Sequence, residues 1–248
     1  MLKIYTADLH IHSCLSPCGD LDMSPRKIVE TAIRCGLNII AITDHNASEN
    51  ILATMKAAEG KPLTVLAGME VASAEEAHLL ALFDRMEPMA QFQQIVYEHL
   101  LAIAVDQRMI EEQVIVNEQD EVEGFNDHLL FGATSLPFQK LVDEVHRLNG
   151  LAIASHVDRE SYSIIGQLGF IPDDMPLDAL EISSFKTLEE AQSLFPDTNR
   201  YPLVKSSDAH YLNDIGKQTT RFLMEQPTIE EIKLALTNSQ VRKVLEQV

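Results

Sequence analysis

Two histidines separated by one residue, His10 and His12, follow directly on an apolar, β-branched segment. Alternate residues of a strand share a face, so both imidazoles, together with Asp8, are expected to point the same way. A His-x-His pair at a strand end is a bidentate clamp for a metal ion, although such pairs also occur on surfaces by chance. Taken alone, the pair indicates metal chemistry only weakly.

The same arrangement recurs along the chain, and the recurrence favours a metal site over chance. Glu70 stands inside the apolar run "VLAGMEV", where an unpaired carboxylate would be costly. Histidines and carboxylates at the ends or starts of apolar runs predict a site for several metal ions. An alternative for Asp8 and Asp44 is a hydrogen bond that orients a ligating histidine. Besides the first pair, the candidates are Asp44, His45, Glu70, His78, His156, Asp208 and His210.

The elements that must position these residues are short apolar strands alternating with amphipathic helices. Repeated β-then-α units imply a parallel sheet, and six or seven units in 248 residues favour a closed barrel over an open doubly wound sheet. The carboxyl ends of barrel strands meet at one mouth, where the candidate ligands would converge. The strands "LTVLAGMEV" and "HLLALF" could be paired neighbours. We therefore expect one domain over residues 1–248.

One acidic stretch, residues 106–127, interrupts this pattern and contains a single β-like segment, "QVIV". We interpret it as an insertion or lid near the barrel mouth. A solvated surface loop is the alternative.

Composition restricts the partners of the chain. There are 38 acidic and 19 basic residues, a formal net charge of −19, and no basic run, which makes nucleic acid an unexpected partner. The N-terminus lacks the features of a signal peptide, and the apolar runs are too short to span a bilayer. Three cysteines do not suggest a disulfide framework. A cytoplasmic protein without a membrane partner is expected, and its oligomeric state stays open.

The motifs "DLHIHS", "TDHN", "GMEV", "SHVDR" and "SDAH", with His78 following Glu70, resemble those of the PHP (polymerase and histidinol phosphatase) family in order and spacing. The resemblance extends from residue 8 to about residue 221. It implies an α/β fold of the PHP type, a distorted (β/α)7 TIM-like barrel. It also implies two or three divalent metal ions, zinc, manganese or iron, in the barrel mouth.

The resemblance also implies which residues bind each ion. The first ion would take His10, His12, Glu70 and Asp208, the second would share Glu70 and add His78 and His156, and the third would take His45, His210 and Cys18. Cys18 departs from the pattern of histidinol-phosphatase-like members of the family, in which the equivalent place resembles a histidine position. A thiolate can still bind zinc or iron, and the alternative is a two-metal site without Cys18.

The ligand set favours hydrolysis of a small phosphomonoester by a metal-activated hydroxide at a di- or trinuclear site. Three ions against Glu70, Asp208 and an ionised Cys18 would leave a local surplus of roughly +3, which suits a phosphate dianion. Arg159 is the best placed cation for the transition state, and Asp8 is a conceivable general acid. The alternatives are an amidohydrolase-type C–N hydrolase, a PHP-like exonuclease on oligonucleotides, and a non-catalytic regulatory domain.

Overall fold

The computed structural model describes residues 1–100 and 112–245, in which strands and helices follow one another along the chain. The strands are β1 Lys3–Ile11, β2 Ile39–Ile42, β3 Thr64–Ala72, β4 His78–Phe83, β5 Val114–Val116, β6 Val122–Phe125, β7 Leu151–Ala154, β8 Ala179–Glu181, β9 Leu203–Val204, β10 Thr220–Met224 and β11 Lys243–Leu245. The helices are α1 Pro25–Arg34, α2 Glu49–Ala57, α3 Met86–His99, α4 Phe138–Arg147, α5 Ile164–Leu168, α6 Leu188–Leu194 and α7 Ile229–Leu236.

Nine of the described strands form one sheet in the order β11-β10-β1-β2-β3-β4-β7-β8-β9. The sheet curls, because the chain beyond β9 returns to β1: Ala209 forms a parallel bridge with Ile11. Directly after β9, the Lys205 N–H donates to Thr220 Oγ1 of β10 at 2.8 Å. The α/β class is therefore confirmed, and the described part of the sheet forms a curled half-barrel.

The strand directions differ from the all-parallel expectation. β1, β2 and β3 are parallel, as are β7, β8 and β9, but β4 runs antiparallel to both of its neighbours, β3 and β7. β10 is also antiparallel to β1. Because the connection between β3 and β4 is short, these strands form a hairpin and not a crossover unit. The pairing of β3 with β4 is as expected, while the count of seven β/α units is not reproduced in the described residues.

Two apolar clusters cover the two faces of the sheet. Leu9, Leu66 and Leu80 belong to the cluster inside the curl, whereas Ile11 packs in the cluster under helices α1 to α4. Leu9 and Ile11 would share a face in a regular strand. A shift in the register of β1 between Asp8 and Ile11 separates them. Such irregularities re-aim side chains, and this one lies directly beside the His-x-His pair.

The acidic stretch lies partly outside the described residues. Residues 106–111 lie outside the described residues, while β5 and β6 form an antiparallel hairpin within residues 112–127. The Val114 N–H donates to Cys14 O at 3.1 Å, and the Val116 N–H donates to Asn50 Oδ1 at 3.0 Å. The hairpin thus packs on the loop after β1 and on α2, and its action as a lid stays a prediction. Among the described residues no helix combines the length and apolar character needed to cross a bilayer.

Candidate metal centre

The candidate ligands converge at one edge of the sheet because of the strand directions. β1, β2, β7 and β9 end at this edge, and antiparallel β4 begins there. His78, the first residue of β4, therefore faces the same place as residues that follow strand ends. Ala72 of β3 pairs with His78, and Glu70 lies two residues before Ala72. The hairpin explains why His78 stands at the start of its strand, whereas His10 lies at the end of β1 and the other candidate histidines follow their strands.

Glu70 is the centre of the cluster and is 1% exposed. Its Oε1 lies 3.0 Å from His78 Nδ1 and 3.1 Å from His156 Nε2. Its Oε2 lies 3.2 Å from His45 Nδ1 and 3.4 Å from the Nε2 atoms of both histidines of the His-x-His pair. One carboxylate thus has five imidazole nitrogens around its two oxygens, a geometry that suits a group bridging two cations.

The two histidines of the pair present ring nitrogens to a common point. His10 Nδ1 lies 2.9 Å from Glu181 Oε2, and His12 Nδ1 lies 2.9 Å from Ser16 Oγ. These acceptors hold the proton on each Nδ1 and leave each Nε2 as a free ligand atom, as outer partners of metal-binding histidines do. The Nε2 atoms are 3.1 Å apart, and Asp208 Oδ1 lies 3.3 Å from both of them.

The donor atoms fit divalent cations. Asp208 Oδ1 is buried without a hydrogen-bond partner, although it faces ring nitrogens of both histidines of the pair. Three groups have ligand atoms that all lie within 4.8 Å of one another. Two of these groups contain one carboxylate each, and we call them the carboxylate clusters: His10, His12 and Asp208 form one, and His45, Glu70 and His78 form the other. The third group consists of His12, Cys18, His45 and His210, and we call it the cysteine cluster.

Three residues at these strand ends adopt positive φ angles, which is uncommon for residues other than glycine. The angles are 29° at His156, 51° at Asp208 and 51° at Asn46. Such backbone conformations persist where the surrounding structure fixes them, and they cluster at functional sites. At these turns the backbone directs the imidazole of His156 and the carboxylate of Asp208 across the edge of the sheet.

The neighbouring histidines keep the carboxylates of Glu70 and Asp208 ionised. Burial opposes ionisation, but His78, His10 and His45 outweigh it and hold the pKa of Glu70 well below its usual range. Asp208 behaves in the same way, with burial outweighed by its histidine neighbours, so its pKa is also lowered. At the cysteine cluster, burial and the charge of Glu70 raise the pKa of the Cys18 thiol to about 12. The carboxylates therefore attract cations to this edge of the sheet.

A cavity of about 270 Å³ opens over Glu70. Arg159 lines it, and its guanidinium Nη2 lies 2.6 Å from Asp208 Oδ2. Two aromatic side chains stand at its mouth: Phe131 is 48% exposed and Tyr162 is 52% exposed. Tyr162 stacks on His78 with 4.9 Å between ring centroids. Histidines and carboxylates thus form the floor, and a cation with aromatic rings forms the rim.

Asp8 is brought near the centre but does not face the cavity. Its Oδ1 accepts the Ser207 N–H and its Oδ2 accepts the Gly216 N–H, both at 2.9 Å. The expectation of one shared face therefore holds for His10 and His12 only, because the register of β1 shifts beside Asp8. Burial raises the pKa of Asp8 to about 6. These contacts favour a positioning role over that of a general acid.

The contacts of Asp44 match the alternative that the sequence left open, a carboxylate that orients a histidine. Its carboxylate accepts the Ser16 hydroxyl at 2.7 Å and both the backbone N–H and the hydroxyl of Ser13. Ser16 in turn accepts the His12 Nδ1–H. Asp44 thus acts through a serine on a candidate ligand.

Some contributing residues were missed by sequence reasoning. Glu181 carried the same signal as Glu70, a lone carboxylate in an apolar strand, and could have been found. Asn46, whose amide donates to the carbonyls of Leu130 and Gly132, fixes the loop that carries Phe131. No periodic pattern marks the aromatic rim, because its rings stand on loops.

Comparison with known proteins gives a family and several relatives. Residues 8–168 match the family model of the PHP domain. The uncharacterized protein YqxK of Bacillus subtilis is 25% identical over an alignment that covers 99% of this chain and 65% of YqxK. The chain thus spans a little under two thirds of this relative.

Solved structures share the fold. The lesion-specific endonuclease Q of Pyrococcus furiosus superposes with a TM-score of 0.70 and 19% identity, over 98% of this chain and 58% of that protein. A predicted metal-dependent phosphoesterase from Bifidobacterium adolescentis gives a TM-score of 0.63 and 18% identity, over 91% of this chain and 94% of the other. At such identities the likeness establishes the fold alone.

Proposed function

The chain belongs to the PHP domain family, and from that premise we propose that it hydrolyses a small phosphomonoester with two or three divalent metal ions. The observation that carries the proposal is the position of Glu70, with five imidazole nitrogens within 3.4 Å of its two oxygens at the floor of a cavity. The metal-ligand roles of the residues described above are part of this proposal.

The two histidines of the His-x-His pair have defined supports in the chain. His10 and His12 are held by Glu181 and Ser16, so their Nε2 atoms need no reorientation to bind a cation. Divalent ions, when bound, supply positive charge for phosphoryl oxygens and lower the pKa of a water to near neutrality. Zinc, manganese and iron all suit a set of imidazoles and carboxylates.

Arg159 is the side chain suited to the substrate. Its guanidinium is one-third exposed and lines the cavity while it pairs with Asp208. From there it can donate to a nonbridging phosphoryl oxygen, a contact that strengthens as charge develops in the transition state. A local cation of this kind also accounts for binding of an anion by a chain with net charge −19, since distant surface charge is screened beyond about 8–10 Å.

The test is an activity screen on protein of known metal content, reloaded with manganese, iron or zinc. Phosphomonoesters with small leaving groups should be hydrolysed, and amides should not be. Turnover of amides alone would favour the C–N hydrolase alternative, and no turnover by fully loaded protein would contradict hydrolysis altogether.

A nuclease is the second candidate function. It is favoured by the likeness to endonuclease Q and by the exposed rings of Phe131 and Tyr162 at the cavity mouth, because aromatic side chains stack on unpaired bases. The net charge of −19 opposes it, since backbone tracking depends on lysine and arginine. Labelled oligonucleotides, single-stranded and duplex with a damaged base, should be compared with a nucleoside monophosphate. Internal cleavage of the oligonucleotides at rates above monoester hydrolysis would establish the nuclease.

A further inference from the structure

The cysteine cluster differs from the carboxylate clusters in its ligand chemistry. Its four ligand atoms, one each from His12, Cys18, His45 and His210, lie within 4.8 Å of one another and include no carboxylate. Each of the other two groups combines imidazoles with one carboxylate. The centre therefore offers two kinds of environment, one with sulfur and one with oxygen.

The backbone holds Cys18 opposite His210. The Gly19 N–H donates to Ser16 O at 2.8 Å, and the Asp20 N–H donates to His210 O at 2.9 Å. A Cβ at Gly19 would meet Ser13 O at 2.4 Å, so glycine is required for this turn. The first bond closes the turn around Cys18, and the second joins this turn to the loop after β9.

The imidazoles of this cluster are also oriented. His210 Nδ1 lies 2.9 Å from the carbonyl oxygen of Asp208, and His12 Nδ1 lies 2.9 Å from Ser16 Oγ. Both contacts place the proton on Nδ1 and leave Nε2 free as a ligand atom. The rings of His12 and His210 stack with centroids 4.2 Å apart, so both face the same space as the thiol.

A thiolate is a soft ligand that selects zinc over manganese, whereas carboxylates accept harder ions. Because His12 belongs to both this cluster and the cluster of Asp208, its one free nitrogen serves the latter when both are occupied, and the cysteine cluster then offers two imidazoles and one thiolate. Zinc accepts three protein ligands with a fourth position open to water. The geometry points to a centre of mixed composition, in which the cysteine cluster selects Zn²⁺ and the carboxylate clusters also accept Mn²⁺. This inference rests on the metal centre of the proposed function but not on the identity of its substrate.

The first experiment measures metal retention. Full-length protein is stripped with a chelator, reloaded with excess Mn²⁺ and one equivalent of Zn²⁺, and analysed for metals after dialysis. The wild type should keep one zinc per chain against the excess of manganese. Cys18→Ser should lose zinc affinity by about tenfold or more, since even the loss of a partner outside the ligand set has that effect. Cys18→His should keep one metal ion at this position but retain zinc against manganese less strongly than the wild type, because imidazole also prefers zinc but lacks the soft sulfur.

The second experiment identifies the sulfur ligand by spectroscopy. Protein reloaded with Co²⁺ should show thiolate-to-cobalt charge-transfer absorption in the near ultraviolet. The band should disappear in Cys18→Ser and Cys18→His and persist in the matched controls Cys14→Ser and Cys35→Ser, which change the two other cysteines. Far-ultraviolet circular dichroism verifies that each variant is folded.

The outcomes separate this inference from the proposed function. A wild type without the band, or a band that survives in folded Cys18→Ser, would overturn the inference even if phosphomonoesters are hydrolysed. Equal retention of zinc by wild type and Cys18→His would do the same. A band that depends on Cys18 in a protein without phosphatase activity would support the mixed centre and contradict the function alone.

Discussion

The carboxylate clusters and the cysteine cluster share one cavity but are built differently. His10, His12 and Glu70 lie on or directly beside long, buried strands, and their side chains are at most 2% exposed. Cys18 and His210, by contrast, lie on turns, and the His210 side chain is 24% exposed. Strands fix the first set through the sheet, whereas a glycine turn and one backbone hydrogen bond fix the second. Ligand side chains are therefore held most firmly where the ligand residue belongs to a strand of the sheet.

The largest effect is expected from removing the group at the centre of the buried set. Glu70→Ala should lose bound metal and lower kcat/KM by roughly 10³-fold or more, since cation charge contributes several kcal/mol to phosphoryl transfer. Elemental analysis and phosphomonoester kinetics check this result. Glu59→Ala, at an exposed glutamate just after α2, is the control. Full metal content and turnover in Glu70→Ala would show that the carboxylate clusters are not the metal centre.

A smaller loss is expected at the rim of the cavity. Arg159→Ala should lower kcat by about 10²-fold, the usual effect of losing one donor to transition-state charge. Metal content should not change, because Arg159 contacts Asp208 through Oδ2, whereas Oδ1 faces the histidines. Arg159→Lys should recover part of the rate, and Arg85→Ala at an exposed site is the control. Kinetics close to those of the wild type would remove Arg159 from the mechanism.

The two regions also differed in how far the sequence could predict them. Histidines and carboxylates at strand ends follow from local pattern, because the direction of a parallel strand decides which end meets the mouth. Cys18 could be found only through the family resemblance, since no local rule places a turn residue beside His45 and His210. The direction of β4 was missed, although the few residues between β3 and β4 are too few for a crossover.

Glu181 shows a different kind of omission. A lone carboxylate within the short apolar run "ALEIS" carried the same signal as Glu70, but Glu181 was not among the candidates taken from the sequence. Its partner His10 lies 171 positions away, and only the curl of the sheet brings the two together. Contacts that depend on closure of the sheet could not be derived from local periodicity. The aromatic rim, which stands on loops, and the β1 register shift are likewise not marked by local periodicity.

The contact of Glu181 with His10 can separate the carboxylate clusters from the cysteine cluster, because Glu181 supports a ligand of the former without being a ligand itself. Glu181→Gln should weaken metal binding at the cluster of His10, His12 and Asp208 by about 10–100-fold, as loss of a charged partner reduces ligand basicity. The cysteine cluster should keep its metal, which metal titration of wild type and variant can distinguish. Glu189→Gln at an exposed site should change neither cluster. Equal weakening of both clusters would indicate that Glu181 maintains the fold as a whole and does not orient one ligand.

The smallest effect on chemistry is expected at Asp8, whose carboxylate joins the buried strand β1 to the loop that carries Asp208. In Asp8→Asn one backbone N–H would face an amide NH₂ group and lose its acceptor. The free energy of unfolding should therefore fall by about 1–3 kcal/mol. Urea denaturation measures this loss, with Asp143→Asn on the exposed face of α4 as the control. Turnover by the folded variant should fall less than in Arg159→Ala, because both Asp8 oxygens are engaged with backbone N–H groups. A large fall in kcat with unchanged stability would instead restore Asp8 as the general acid.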